Sequence, residues 1–138
     1  MKAKILLILV AIVSFAFIFF VMQSDDVDFK PMTIEELNPD IQNAIYQIEA
    51  SGVYFIIQED TTILYSSLGK SGMYTYPFAE IKQNDGKLTI KINSKSSPSD
   101  QDVQEGLIGR IDIKKLPEDI EISFLGQAVD YKIINLDQ

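Results

Sequence analysis

The run from Ile5 to Met22 contains no charged residue and one polar residue, Ser14, and it constrains this chain more than anything that follows. In a helix rising about 1.5 Å per residue, 18 residues reach roughly 27 Å, close to the roughly 30 Å hydrocarbon core of a bilayer. Lipid offers no water to backbone N–H and C=O groups, so a lone segment there must bond them internally. The run is therefore predicted to be a transmembrane helix. Lys2 and Lys4 precede it, whereas Asp25, Asp26 and Asp28 follow. Basic residues are retained on the cytoplasmic side, so the expectation is a single-pass cell membrane protein with a cytoplasmic N-terminus and an extracytoplasmic C-terminal domain. The alternative is secretion after signal cleavage. Signal cores are shorter, about 7 to 15 residues, and end in small residues; the exit Phe20-Val-Met-Gln-Ser24 has no such pair. A helix buried in a soluble core fits least, because the run has no polar face.

This division predicts a cytoplasmic start and anchor over residues 1–22, a polar linker over 23–32, and an extracytoplasmic β-rich domain over 33–138. Beyond Met22 lie ten basic and twenty acidic residues, a formal charge of −10. That balance disfavours nucleic acid, anionic headgroups and acidic wall polymers, which are bound through Lys and Arg. The chain has no cysteine, which excludes a lipid-modified cysteine and a disulfide framework, so the domain must rest on its own hydrophobic core.

Helix signals come first. Thr33 and Glu36 are spaced as a capping box, and Asn38-Pro39 supplies an N-cap with proline at the first helical position. Ile41, Ala44, Ile45 and Ile48 then share one helical face, with Gly52 the expected stop. Such a stripe either meets a partner or packs on the chain's own sheet, and the second is the commoner use. From Gly52 onward strand chemistry takes over. Val53–Ile57 and Thr61–Tyr65 read as a hairpin around Gln58-Glu-Asp60, and Tyr74–Gln83 runs into the tight-turn signal Asn84-Asp85-Gly86. Leu88, Ile90 and Ile92 alternate with polar residues, as on a half-buried strand.

A polar stretch, Asn93–Glu105, reads as a long loop. Arg110–Leu116 and Asp119–Phe124 then suggest a second hairpin around Pro117-Glu118, and Val129, Tyr131 and Ile133 a last strand. The expected fold is mainly β: the N-terminal transmembrane helix, a short amphipathic helix, and an antiparallel β-sandwich or small barrel, with the short helix covering an open edge or face.

Chemistry is sparse in this sequence. Without histidine or cysteine, a Ser-His-Asp triad, an imidazole relay and a thiol nucleophile are excluded. Ser67-Leu-Gly-Lys70 matches the Ser-x-x-Lys of acyl-transfer enzymes, but neither Ser-Asp-Asn nor Lys-Thr-Gly follows. Gly69-Lys70-Ser71 resembles the end of a phosphate-binding loop, yet Leu64 stands where the earlier glycine is needed. Asp100, Asp102 and Glu105 lack the order of a calcium loop and read as a solvated acidic loop. Tyr74 and Tyr76, with Tyr65 and Phe78 nearby, form either an aromatic surface for peptide or carbohydrate or part of the core. No catalytic, cofactor or metal residues are assigned.

The succession Val53-Tyr-Phe-Ile56, Leu68-Gly-Lys-Ser-Gly-Met-Tyr74, Asp85-Gly-Lys-Leu-Thr-Ile90 and Ser97-Pro98 resembles the C-terminal domain of the protease complex subunit PrcB family. Gly72-Met73-Tyr74 stands where that family usually carries two glycines before the tyrosine. The resemblance implies a non-catalytic accessory domain that assists an envelope protein complex such as a protease, with an envelope protein as partner. The interaction surface expected on this basis comprises Lys70, Gly72, Tyr74, Tyr76 and Pro98. An envelope hydrolase and a wall-sensing or sporulation component remain the alternative functions.

Overall fold

The computed structural model describes residues 2–22, 26–68, 75–96 and 106–138, with the side chains of 18–22, 75, 76 and 96 left aside. The apolar run forms α1, Lys2–Met22, and its large side chains between Ile5 and Phe17 are 56–74% exposed. They therefore contribute to neither core of the domain. The span expected at Ile5 to Met22 has its helix, but among the described residues no helix is long and apolar enough to cross a membrane.

After α1 come β1 (Phe29–Pro31), a 3₁₀ turn (Ile34–Glu36) and α2 (Pro39–Tyr46). Nine strands in all are described, the others being β2 (Val53–Gln58), β3 (Thr61–Ser66), β4 (Thr75–Asn84), β5 (Lys87–Ser96), β6 (Leu107–Ile111), β7 (Asp119–Phe124), β8 (Gln127–Val129) and β9 (Tyr131–Asn135). They form a five-stranded sheet in the order β1-β6-β3-β2-β9 and a four-stranded sheet in the order β4-β5-β7-β8.

Two apolar cores give the molecule three layers. Val53, Phe55, Leu64 and Leu107 from the larger sheet meet Ile81, Leu88, Ile90 and Ile122 from the smaller one. The opposite face of the larger sheet, carrying Tyr54, Ile56, Ile63 and Tyr65, packs against Leu37, Ile41 and Ile45. A strand covered on both faces has no use for alternation, which is why β2 reads as the unbroken run Val-Tyr-Phe-Ile-Ile. Among the described residues the smaller sheet is covered on one face only, and β5 alternates accordingly, with Leu88, Ile90 and Ile92 buried and Lys91 exposed.

Local signals hold. The Asn38 side-chain oxygen accepts from the Ile41 N–H at 3.0 Å, Pro39 occupies the first turn, and Thr33 N–H donates to the Glu36 carboxylate at 3.2 Å. α2 packs on the chain's own sheet through Ile41 and Ile45, but it ends at Tyr46, well before Gly52. The β4–β5 hairpin turns at Asp85 (φ 49°) and Gly86 (φ 78°), the two left-handed residues that a tight two-residue turn requires.

Several further expectations are corrected. The sandwich is mixed rather than antiparallel, because β9 runs parallel to β2 and β7 parallel to β5. The segments around Pro117 do not form a hairpin: β6 pairs with β3 and β1 in one sheet, and β7 joins the other. Within the stretch 23–32, read as a linker, Phe29–Pro31 pair with β6 and the Val27 N–H donates to the Ile81 carbonyl at 2.9 Å. The last run is divided: β8 pairs with β7, and after Asp130 the chain enters the other sheet as β9. In addition, β5 extends to Ser96, so the first residues of the polar stretch from Asn93 are strand.

One close approach secures β1. A Cβ built on Gly109 of β6 would lie 2.2 Å from the Phe29 ring and 2.7 Å from the Lys30 carbonyl oxygen. The ring fills the space a side chain would occupy, and because the carbonyl is backbone the strand itself must move. Gly109→Ala is expected to destabilise the domain by about 1 to 3 kcal/mol, the usual range for overpacking. Chemical denaturation measures this, and faster proteolysis within residues 26–31 would locate the damage at β1. A loss below about 0.5 kcal/mol, the level of an ordinary surface substitution, would show that the ring leaves freely.

Candidate functional site

The expected interaction surface falls almost wholly outside the described residues. Lys70, Gly72, Tyr74 and Pro98 lie outside them, as do Asp100, Asp102 and Glu105; Tyr76 is in β4 opposite Lys95, with its side chain undescribed. Phe78 is half-buried, and the Lys95 ammonium sits 4.8 Å from its ring centre. Tyr65 is buried in the core beneath α2, its ring 6.2 Å from that of Tyr54.

Ser67 has a structural role. It is 7% exposed, and its hydroxyl oxygen accepts the Gly52 N–H at 2.9 Å, tying the end of β3 to the start of β2. Among the described residues, no group of three or more acidic side chains is placed to hold a metal ion. Among the described residues, shifted ionisation is found at one surface pair on the smaller sheet, where the Lys87 ammonium lies 2.6 Å from the Glu121 carboxylate. Their hydrogen bond and mutual attraction raise the lysine pKa and lower that of the glutamate. Both groups are solvated, so the pair has the character of a surface ion pair rather than of a tuned catalytic couple.

A groove of about 630 Å³ lies between α2 and β9. Its origin lies in the helix stripe. Ile41 and Ile45 are buried against β2 and β3, while Ala44 of α2 and Ile48, two residues past its end, are only partly covered and form one wall with Gln47 and Asn43. Ile134 and Leu136 supply the other wall. α2 packs on β2, and beside it Ile134 of β9 and Leu136 just past that strand are only partly buried.

Polar side chains close one end of the groove. Gln58 donates to the Asp40 carboxylate at 3.2 Å and accepts from the Asn38 side-chain amide. Asp137, just past β9, accepts the Glu59 N–H through its carboxylate at 2.9 Å and so holds the β2–β3 turn. At the other end of β9 a smaller hollow of about 140 Å³ is lined by Ala50–Tyr54 and Asp130–Lys132. The groove is thus lined in equal number by apolar side chains (Ala44, Ile48, Ile134 and Leu136) and polar ones (Asn43, Gln47, Gln58 and Asp40), with Asp40 as its charged lining group among the described residues. In the sequence its signal was the second half of the helix stripe together with Ile134 and Leu136, which skip the polar Asn135.

Comparison of the chain with protein-family models, with curated proteins and with solved structures finds no match to any of them.

Proposed function

We propose that this protein is a membrane-anchored, extracytoplasmic and non-enzymatic binding module that assists an envelope protein complex. The observation that carries this reading is α1, whose apolar side chains from Ile5 to Phe17 are exposed around the whole helix. Exposed apolar area on that scale needs a cover, and Lys2 and Lys4 on one side with Asp25, Asp26 and Asp28 on the other fit a bilayer with the N-terminus inside. The engagement of Ser67 in a structural hydrogen bond and the groove beside β9 favour binding over hydrolysis. The resemblance to the PrcB C-terminal domain supports an accessory role. Of its segments, Val53–Ile56 and Asp85–Ile90 lie within the described residues, in β2 and at the β4–β5 turn.

The chain lacks cysteine, so topology can be tested with single introduced thiols. Gln138→Cys is expected to react with a membrane-impermeant maleimide in intact cells, and Lys2→Cys only after permeabilisation, with both proteins remaining in the carbonate-washed membrane pellet. The reverse labelling, or a product shortened at its N-terminus and released from the pellet, would sink the anchored reading.

A further inference from the structure

We infer that the free edge of β9 accepts an extended, basic segment of a partner protein as an added strand, its alternate apolar side chains seated in the groove against α2. This rests on the binding role proposed above and specifies how the partner is recognised.

The backbone makes the first argument. The Leu136 N–H donates to the Ile57 carbonyl at 2.8 Å, and Ile134 stands in register with Ile56. Since backbone groups alternate sides along a strand, Lys132, Ile134 and Leu136 direct theirs to β2. Tyr131, Ile133 and Asn135 therefore direct their N–H and C=O groups to the opposite side, where no described strand pairs with them. Unpaired rows of this kind are templates for another strand, and proteins usually blunt them. The other edges here are blunted: β1 and β8 have three residues each, and β4 contains Pro77 and is met by Asp26 and Val27. β9 has neither device, and Ile133 is left 51% exposed.

Side chains and charge identify the occupant. A strand added beside β9 would lay every second side chain next to Ile134 and Leu136, in the groove walled by Ala44 and Ile48. Asp40 lies in that groove, and Asp130 and Asp137 bracket β9 against the single base Lys132. With ten basic and twenty acidic residues beyond Met22, a second copy of this chain would bring more negative charge to an acidic site, whereas a basic segment is attracted to it.

The test uses the full chain in detergent micelles and a fluorescent peptide of sequence Thr-Lys-Thr-Val-Thr-Val-Thr-Lys, blocked at both ends, whose two lysines share the valine face and so flank the groove that holds Asp40, with a Glu-for-Lys version as comparison. The basic peptide is expected to bind with an affinity that falls as salt rises and exceeds that of the acidic version at least about tenfold. Ile133→Pro removes an N–H that β2 does not use, so the domain should fold while peptide binding falls at least about tenfold. Asp40→Asn should weaken binding about threefold or more, and Lys91→Ala, on the smaller sheet, should not change it. If Ile133→Pro fails to fold, amide exchange on the unaltered chain decides: the Ile133 amide should be slowed at least about tenfold by peptide. The inference is overturned by no binding of the basic peptide at millimolar concentration, by equal binding of the acidic one, by undiminished binding to folded Ile133→Pro, or by a dimer that Ile133→Pro dissolves. None of these outcomes alters the thiol labelling pattern, so failure of the strand-addition mode is distinguishable from failure of the anchored reading.

Discussion

Phe55→Ala is expected to cost the domain about 3 to 5 kcal/mol, the range for deleting a fully buried phenylalanine. Phe55 is 0% exposed on the inner face of β2, surrounded by Val53, Leu64 and the smaller sheet's Leu88, Ile90 and Ile122. Its ring also meets Tyr131 edge to face, with centroids 5.4 Å apart at 83°. That contact ties β9 to the interior, and β9 has β2 as its sole strand neighbour among the described residues. The substitution should thus remove core volume and loosen the edge strand together. Set against a typical total of about 5 to 15 kcal/mol, the loss raises the unfolded population more than about a hundredfold. Urea and thermal unfolding measure it, with a melting temperature expected to drop by at least about 12 °C for a domain of this size. Phe55→Leu, which keeps most of the volume, should cost under about 1.5 kcal/mol. A loss below about 1 kcal/mol for the alanine variant would mean that the two sheets collapse onto the vacated space and that this core is not close-packed.

The features legible in the sequence are those fixed by neighbours along the chain. Asn38-Pro39 starts α2 because an oxygen acceptor and a preset φ are needed at adjacent positions. Asn84-Asp85-Gly86 turns because the two central residues must be left-handed, and the strand signals at Leu88, Ile90 and Ile92 record one wet and one dry face. Which strand lies beside which is decided by distant residues. Nothing in Arg110–Leu116 or Asp119–Phe124 distinguishes a hairpin from two strands in separate sheets, and a short connection around Pro117 makes the local pairing look cheapest. The parallel pairing of β9 with β2 brings together residues more than seventy positions apart in the chain. One non-local feature was nonetheless written locally. The unbroken apolar run of β2 requires cover on both faces, and the amphipathic helix just before it is that cover. The groove was legible only in part: Ala44 and Ile48 belong to the helix stripe, but that they line an opening follows from where α2 ends and where β9 enters the sheet. Gly109 carried no signal, since its requirement for glycine comes from the ring of Phe29, on a strand eighty residues earlier.

Arginine at both Val10 and Val13 is expected to abolish membrane association while leaving the domain's unfolding unchanged. In the proposed arrangement these positions lie near the middle of the span, where each arginine costs about 2.5 to 3.5 kcal/mol of insertion free energy. Two together, at about 5 to 7 kcal/mol, exceed what snorkelling can recover near the middle of an apolar run as short as Ile5 to Met22. Val10 and Val13 are 56% and 60% exposed, so neither substitution removes a contact from the cores built on Phe55 or Ile56. The chain should leave the carbonate-washed pellet with its melting temperature intact. A double variant that stays in the pellet would refute α1 as the anchor, and one whose domain melts earlier would show that the helix packs on the protein instead. Release would also reach the binding step. A single added strand contributes few main-chain hydrogen bonds, each worth about 1 kcal/mol net, so its affinity for a free partner is weak. Confinement to one membrane with that partner raises the effective concentration toward the millimolar range, where such contacts are occupied. Loss of the anchor should therefore reduce cross-linking to the membrane partner as severely as Ile133→Pro does, although one change leaves the binding edge untouched and the other leaves the anchor untouched.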